Sequence, residues 1–306
     1  MYDVIILGGG PAGVSASLYC KRANKEVLII YSEDSGLKYA HQIDNYYGFE
    51  NGISGEDLYN AGIKQAQNIG VDTSKEEILK IEVERYSHPN SEEKNDSLFK
   101  VTTDKNSYES KAIILAFGAK KNTLNIDGIK ELEGKGISYC AICDGFFYRN
   151  KDVAVIGSGN YAISETNDLI NVANKITILT NGEKAPEFRA DNVDVITKNI
   201  KNISGENRVE EVRFEDDSTI KTDGVFIAQG TAGAAEFAKK LGLVTKNDKI
   251  VVDENMQTNI RGVYACGDCT GGLLQVSKAV YEGTKAGLAA IEYLKWKEDK
   301  KWKLLN

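Results

Sequence analysis

"YDVIILGGGPAGVSASLYCKRANKEVLIIY", residues 2–31, changes its hydrophobic period twice: an unbroken apolar run, a cluster of glycines and a helix-like stretch, then a second apolar run. Val4–Leu7 shows no polar alternation, the pattern of a parallel strand buried on both faces. Ala12–Arg22 reads as a helix and Glu26–Tyr31 as the next strand, one strand–helix–strand unit of about 30 residues. The glycines between strand and helix fall as Gly8-x-Gly10-x-x-Gly13. In that context Gly8 permits a tight turn, Gly10 lets the backbone approach a pyrophosphate, and Gly13 lets helix and strand pack closely. The phosphates would lie at the helix N-terminus, where Pro11 and Ala12 open the first turn. Glu33 follows Gly13 by 20 residues, where a carboxylate can accept from a ribose hydroxyl. The alternative, a purely structural glycine turn, explains the turn but not the acid in register.

The same grammar recurs further along. Asp152–Ile156 is a second buried-type strand, Gly157-x-Gly159-x-x-Ala162 follows it, a helix runs to about Leu169, and Lys175–Thr180 is the next strand. The expected fold is therefore α/β, with two Rossmann-like domains of the three-layer, dinucleotide-binding type. Alternating residues over Arg208–Gln229 read as a small meander returning to the second sheet. Glycines near Ala116–Ala119 and Ala228–Thr231 mark the joints. The first domain is then residues 1–115 with 242–306, and the second, 116–241, is inserted in it. Residues 87–97 read as a polar surface loop.

Composition removes several classes. A formal charge of −7 leaves no basic footprint for nucleic acid. No apolar run approaches the roughly 20 residues of a membrane helix. No basic n-region or cleavage site opens the chain, so a cytoplasmic location is expected. Four of the five cysteines form two C-x-x-C pairs, Cys140/Cys143 and Cys266/Cys269. In such a chain that favours redox or metal chemistry over structural crosslinks. Zinc would need four ligands drawn from distant segments, so no metal is expected. Cys20 reads as a small packed hydrophobe, and His41 and His88 show no ligand spacing.

A third glycine signal lies near the other end. A short strand, Gly262–Ala265, leads through Cys266 to Gly267 and Asp268, and a helix is expected from about Leu274 to Lys295. An acid at the C-terminal end of a strand suits a sugar hydroxyl, and helix capping is compatible with the same place.

These motifs resemble the low-molecular-weight flavin thioredoxin reductases over essentially the whole chain. The resemblance rests on Gly8–Gly13, on Ile43-Asp-Asn45-Tyr-Tyr-Gly-Phe, on the block from Gly134 to Arg149 around Cys140-Ala-Ile-Cys143-Asp-Gly, and on Gly262–Asp268. It implies FAD in the first domain, with Asn45, Gly267, Asp268 and Gln275 beside the cofactor. It implies a redox disulfide between Cys140 and Cys143 on the inserted domain, thioredoxin as protein substrate, and a homodimer. Cys143 then faces the flavin, Cys140 attacks thioredoxin, and Asp144 moves protons, although Asp144-Gly145 is also an ordinary turn pair. Cys266 and Cys269 depart from the family pattern; they read as small buried residues, with a second redox pair as the alternative.

The electron donor is a separate question. NADPH-using relatives place paired arginines after the second strand of the inserted domain, as planar donors to the 2′-phosphate. Here that strand runs into Asn181-Gly-Glu183-Lys184 and on to Arg189, with no such pair; Glu183 would repel a phosphate or, in the alternative, accept from an NADH ribose hydroxyl. The crossover from Asn181 to Asn192 is near the minimum length of about 10–12 and holds Pro186, so its helix is expected to be truncated or gone. The chain is accordingly most like the ferredoxin-dependent, NADPH-independent branch. An ordinary NADPH-dependent enzyme and a non-turnover FAD-binding redox sensor are the alternatives. The basic tail from Lys295 could steer an acidic ferredoxin, and Trp296 or Trp302 could cover the flavin.

Overall fold

The computed structural model describes residues 1–32, 35–86, 96–118, 124–139, 141–229, 233–247 and 249–305, with side chains throughout except at 39, 85, 86, 96, 97, 143, 235 and 298–305. The chain divides into two compact units, residues 1–120 with 233–306, and residues 121–232.

The first unit opens with β1 (Tyr2–Leu7), α1 (Pro11–Arg22) and β2 (Val27–Tyr31). It continues through α2 (Gly55–Asn68), β3 (Asp72–Lys75), β4 (Ile78–Tyr86), β5 (Asp96–Thr103) and β6 (Ser107–Leu115). β1 pairs in parallel with β2 and β6, and β2 with β3. β4, β5 and β6 form an antiparallel extension. The strand registers put Val4 and Ile6 on one face of β1, where they pack with Ala12, Ala16 and Cys20 of α1 and with Tyr59 and Ile63 of α2. The loop expected at 87–97 is shorter at its end, because Asp96 and Ser97 already belong to β5; residues 87–95, with His88, lie outside the described residues.

The second unit holds β7 (Ile137–Ser138), α3 (Ala141–Asp144), β8 (Asp152–Ile156), α4 (Asn160–Leu169), β9 (Lys175–Leu179) and β10 (Val193–Ile196). It closes with β11 (Ile200–Ser204), β12 (Glu211–Phe214), β13 (Thr219–Lys221) and β14 (Gly224–Ile227). Its parallel sheet has the order β10-β9-β8-β14-β7, and β11-β12-β13 make a separate antiparallel sheet. The meander read in the sequence is thus β12 and β13, with β14 returning to the parallel sheet. Between β9 and β10 there is no helix, as the short crossover with Pro186 required.

The chain then returns to the first unit through α5 (Ala234–Leu241), β15 (Thr245–Lys246), β16 (Lys249–Ile250), β17 (Val263–Ala265) and α6 (Val276–Leu305). The sequence reading gave α5 to the inserted domain; it lies in the first unit. Its reason is a one-sided apolar face: Phe237 is buried and stacks on Phe117 with ring centroids 4.9 Å apart. β17 adds in parallel to β6, completing the seven-stranded sheet. α6 continues ten residues past its expected end near Lys295. The architecture is α/β with the two-domain FAD/NAD(P)-binding organisation. No helix among the described residues is long and apolar enough to cross a membrane.

Candidate functional site

In the first unit the turn after β1 is built by backbone contact. Gly8 has φ +125°, and a Cβ on it would stand 2.1 Å from the Ala116 carbonyl oxygen. A Cβ on Gly13 would meet the Gly8 oxygen at 1.9 Å. Any side chain at either position would force the strand and helix apart. A Cβ on Gly10 would meet nothing within 4 Å, so the space beside the start of α1 is open. Pro11 is the first residue of α1, where its missing N–H costs nothing. Glu33 lies outside the described residues.

The third glycine signal sits against this turn. Gly267 has φ +80°, and its Cβ position lies 3.0 Å from the Ala12 methyl. α6 approaches α1 closely enough that a Cβ on Gly283 would fall 2.0 Å from the Ala12 oxygen. Residues far apart in sequence, Ala12 and Gly267, are thereby neighbours. An ion pair on α6 fixes the loop between them. Lys278 and Glu282 are 2.9 Å apart, with side chains 15% and 13% exposed. Lys278 Nζ donates to the Gly267 carbonyl at 2.8 Å, and Glu282 Oε2 accepts from the Gly267 N–H and the Thr270 hydroxyl, each at 2.9 Å. Neither residue was singled out from sequence. Asp268 stands at the end of β17 in the turn Gly267–Thr270, and its carboxylate accepts no hydrogen bond among the described residues. Asn45 Nδ2 donates to Gln275 Oε1 at 2.9 Å, so two more expected cofactor residues meet.

These features fit FAD. An open glycine turn at a helix N-terminus suits the pyrophosphate, and an unengaged carboxylate at a strand end suits a sugar hydroxyl.

Cys266 and Cys269 do not form a disulfide; both are buried free thiols. Cys269 Sγ donates to the carbonyls of Cys266 at 3.2 Å and Leu115 at 3.5 Å. Burial pushes the Cys266 thiol far up and the Cys269 thiol to about 12. A thiol so disfavoured as thiolate is a poor exchange nucleophile, in accord with packing. Cys20 is likewise buried, its thiol pushed up to about 12 by burial. Trp296 is engaged on its own unit: the Arg261 guanidinium lies 3.6 Å from its ring centre and Tyr293 stacks on it. The Trp302 side chain lies outside the described residues.

In the second unit Cys140 lies outside the described residues, and Cys143 is described by its backbone, within α3. The segment around them is held from three sides. The Ser138 hydroxyl donates to Asp144 Oδ2 at 2.6 Å. Tyr161 OH donates to the Tyr139 carbonyl at 3.3 Å, and Glu165 Oε2 accepts from the Ala141 N–H at 2.7 Å. Tyr161 and Glu165 both project from α4 and are each 1% exposed. Asp144 makes no side-chain cap to the turn that follows it. Ile142, Phe146 and Phe147 are exposed beside this segment.

The second glycine turn copies the first. A Cβ on Gly157 would lie 2.2 Å from the Ala228 oxygen, and Gly159 faces open space. After β9, where the crossover helix is gone as expected, the chain makes a locked turn. Thr180 Oγ1 donates to the Glu183 carbonyl at 2.6 Å, Asn181 Oδ1 accepts from the Ile200 N–H at 2.8 Å, and the Gly182 N–H donates to the Thr197 carbonyl at 3.2 Å. This turn carries the Glu183 carboxylate onto the glycine loop, where Ser158 Oγ donates to it and Gln229 Nε2 donates at 3.5 Å.

A family model for pyridine nucleotide-disulphide oxidoreductases matches residues 2–283. A thioredoxin reductase of Listeria innocua is 34% identical over 314 residues, covering 96% of this chain and 94% of that one. The crystal structure of the atypical thioredoxin reductase TRi of Desulfovibrio vulgaris Hildenborough is 35% identical, covers 96% and 98% of the two chains, and superposes with a TM-score of 0.85. A ferredoxin-flavin thioredoxin reductase of Clostridium acetobutylicum is 31% identical over 96% and 98%, with a TM-score of 0.70.

Proposed function

The chain belongs to the pyridine nucleotide-disulphide oxidoreductase family, and from that premise we propose that it is a thioredoxin reductase whose electrons come from reduced ferredoxin rather than NADPH. FAD is the cofactor, and when bound it supplies the two-electron chemistry that a dithiol requires. Gly8, Gly10, Pro11, Ala12, Gly13 and Glu33 hold its adenosine and pyrophosphate side. Asn45, Gly267, Asp268 and Gln275 hold the remainder.

Cys140 and Cys143 are the redox pair. Their disulfide takes up two electrons and two protons and becomes two thiols, two one-electron ferredoxins being consumed per turn. Asp144, oriented by Ser138, moves the proton at this pair. The Cys140 thiolate attacks one sulfur of oxidised thioredoxin and displaces the other as thiolate. Cys143 then attacks the mixed disulfide, restoring the Cys140–Cys143 bond and releasing thioredoxin with both sulfurs reduced. A homodimer, as the resemblance implies, belongs to the same reading.

The observation that carries the choice of donor is the Glu183 carboxylate on the glycine loop of the second unit, together with the missing crossover helix. A carboxylate just past the end of β9 opposes the 2′-phosphate of NADPH. The NADPH-dependent reading keeps one observation in its favour, the intact backbone geometry at Gly157 and Gly159.

The thioredoxin step is tested by reducing the holoenzyme anaerobically with a measured amount of dithionite and adding oxidised thioredoxin. Wild type should transfer its electrons to thioredoxin thiols, whereas Cys140→Ser and Cys143→Ser should keep FAD and transfer none. Undiminished transfer by either variant contradicts the assignment.

A further inference from the structure

Lys249 is a half-buried cation that the reaction described above does not use. It projects from β16, whose antiparallel hairpin with β15 is anchored to the segment before β17: the Val244 N–H donates to Asn259 Oδ1 at 2.9 Å. The Lys249 stem lies along Gly271, where a Cβ would stand 3.1 Å from its Cγ, and its Nζ donates to the Asp268 carbonyl at 3.0 Å. It makes no ion pair among the described residues. The loop it grips is hard to order. Gly267, Gly271 and Gly272 all have positive φ, and glycine loses more backbone freedom on folding than any other residue. Lys278 holds the Gly267 and Gly271 carbonyls from α6, and Lys249 holds the Asp268 carbonyl between them from a separate element.

We infer that Lys249 is a positioning residue for FAD, which fixes the Asp268 peptide and supplies the positive charge that offsets the Asp268 carboxylate. The inference rests on the reading of Asp268 as a FAD residue. Asp268 and Glu282 bring negative charge to this loop, and Lys278 and Lys249 bring positive charge. Lys278 is paired with Glu282 at 2.9 Å, which leaves Lys249 to balance Asp268. FAD carries an anionic pyrophosphate. Without Lys249 the loop would present net negative charge to an anion, and its central peptide would lose a charged donor.

The test dilutes holoenzyme in stages, at low and at high salt, and reads freed flavin by its fluorescence. Lys249→Met keeps the stem along Gly271 and removes the ammonium. Its FAD dissociation constant should rise about tenfold at low salt, which is about 1.4 kcal/mol. At high salt, where the charge is screened, the rise should shrink to about threefold. Lys249→Arg restores both donor and charge, and should stay within about threefold of wild type at either salt. Lys249→Gln removes the same charge and serves where Lys249→Met does not fold. Wild-type affinity in Lys249→Met, a loss that salt leaves unchanged, or a Lys249→Arg protein as weak as Lys249→Met overturns the inference. Undiminished FAD affinity in Asp268→Ala would instead sink the reading of Asp268 as a cofactor residue, and the inference with it.

Discussion

Asn45 Nδ2 donates to Gln275 Oε1 at 2.9 Å, joining residues 230 positions apart within the first unit. The bond ties the loop after β2 to the entrance of α6. A net hydrogen bond of this kind is worth about 1 kcal/mol. Because Asn45 is exposed, Asn45→Ala should cost the fold less than that. If the pair lies beside FAD, flavin affinity should fall about tenfold, read as the flavin-to-protein absorbance ratio on dilution. Full flavin retention would remove Asn45 and Gln275 from the cofactor site.

The Lys278–Glu282 pair makes a sharper demand, since both side chains are largely buried and both engage the Gly267 loop. Removing one partner leaves the other charge uncompensated. Glu282→Ala is expected to cost about 2–3 kcal/mol in chemical denaturation and to release FAD, while Glu282→Gln, which keeps an acceptor, should release less. Equal flavin content in Glu282→Ala and wild type would contradict the clamp.

Glu76, 6% exposed, gives a pH signature. Burial pushes its carboxyl up, but donation from Ser74, Thr103, Asn106 and Tyr108 outweighs this and holds it at about 2. The folded value lies below the ordinary glutamate range, so the stabilisation is complete above that range. It is lost as pH falls from about 4.5 toward 2. Glu76→Gln should lower stability at pH 7 by on the order of 2–3 kcal/mol and flatten the acid limb of the stability curve. An unchanged acid limb would place the titration elsewhere.

Glu183 on the glycine loop predicts a gain of binding. Glu183→Ala removes a like charge from the side a 2′-phosphate would take, and NADPH affinity, measured calorimetrically, should rise about tenfold. An affinity equal to that of wild type would mean that Glu183 does not guard the cradle.

Both glycine turns and their strands were legible because they depend on local backbone demands: Gly8 and Gly157 stand where a Cβ would strike a neighbouring carbonyl. The lost crossover helix was legible from twelve residues and a proline. Lys278 and Glu282 were not found, although their i,i+4 spacing at the start of α6 was a signal. Glu165 left a fainter trace. Tyr161, Ala162, Glu165, Thr166 and Leu169 make one buried helical stripe, and an acid within such a stripe asks for a partner. Its partner is a backbone N–H, which no side-chain pattern announces. The membership of α5 was missed because a glycine joint can precede or follow a short amphipathic helix with equal ease.

The central claim is the route of electrons, and anaerobic stopped-flow spectroscopy tests it most directly. Oxidised holoenzyme with thioredoxin present is mixed in turn with excess NADPH, NADH and reduced ferredoxin, while flavin absorbance and thioredoxin thiols are followed together. Ferredoxin alone should bleach the flavin rapidly and sustain thiol formation, with Cys140→Ser bleaching but forming none. Rapid, complete bleaching by NADPH with turnover on thioredoxin would contradict the account and make the protein an ordinary NADPH-dependent reductase.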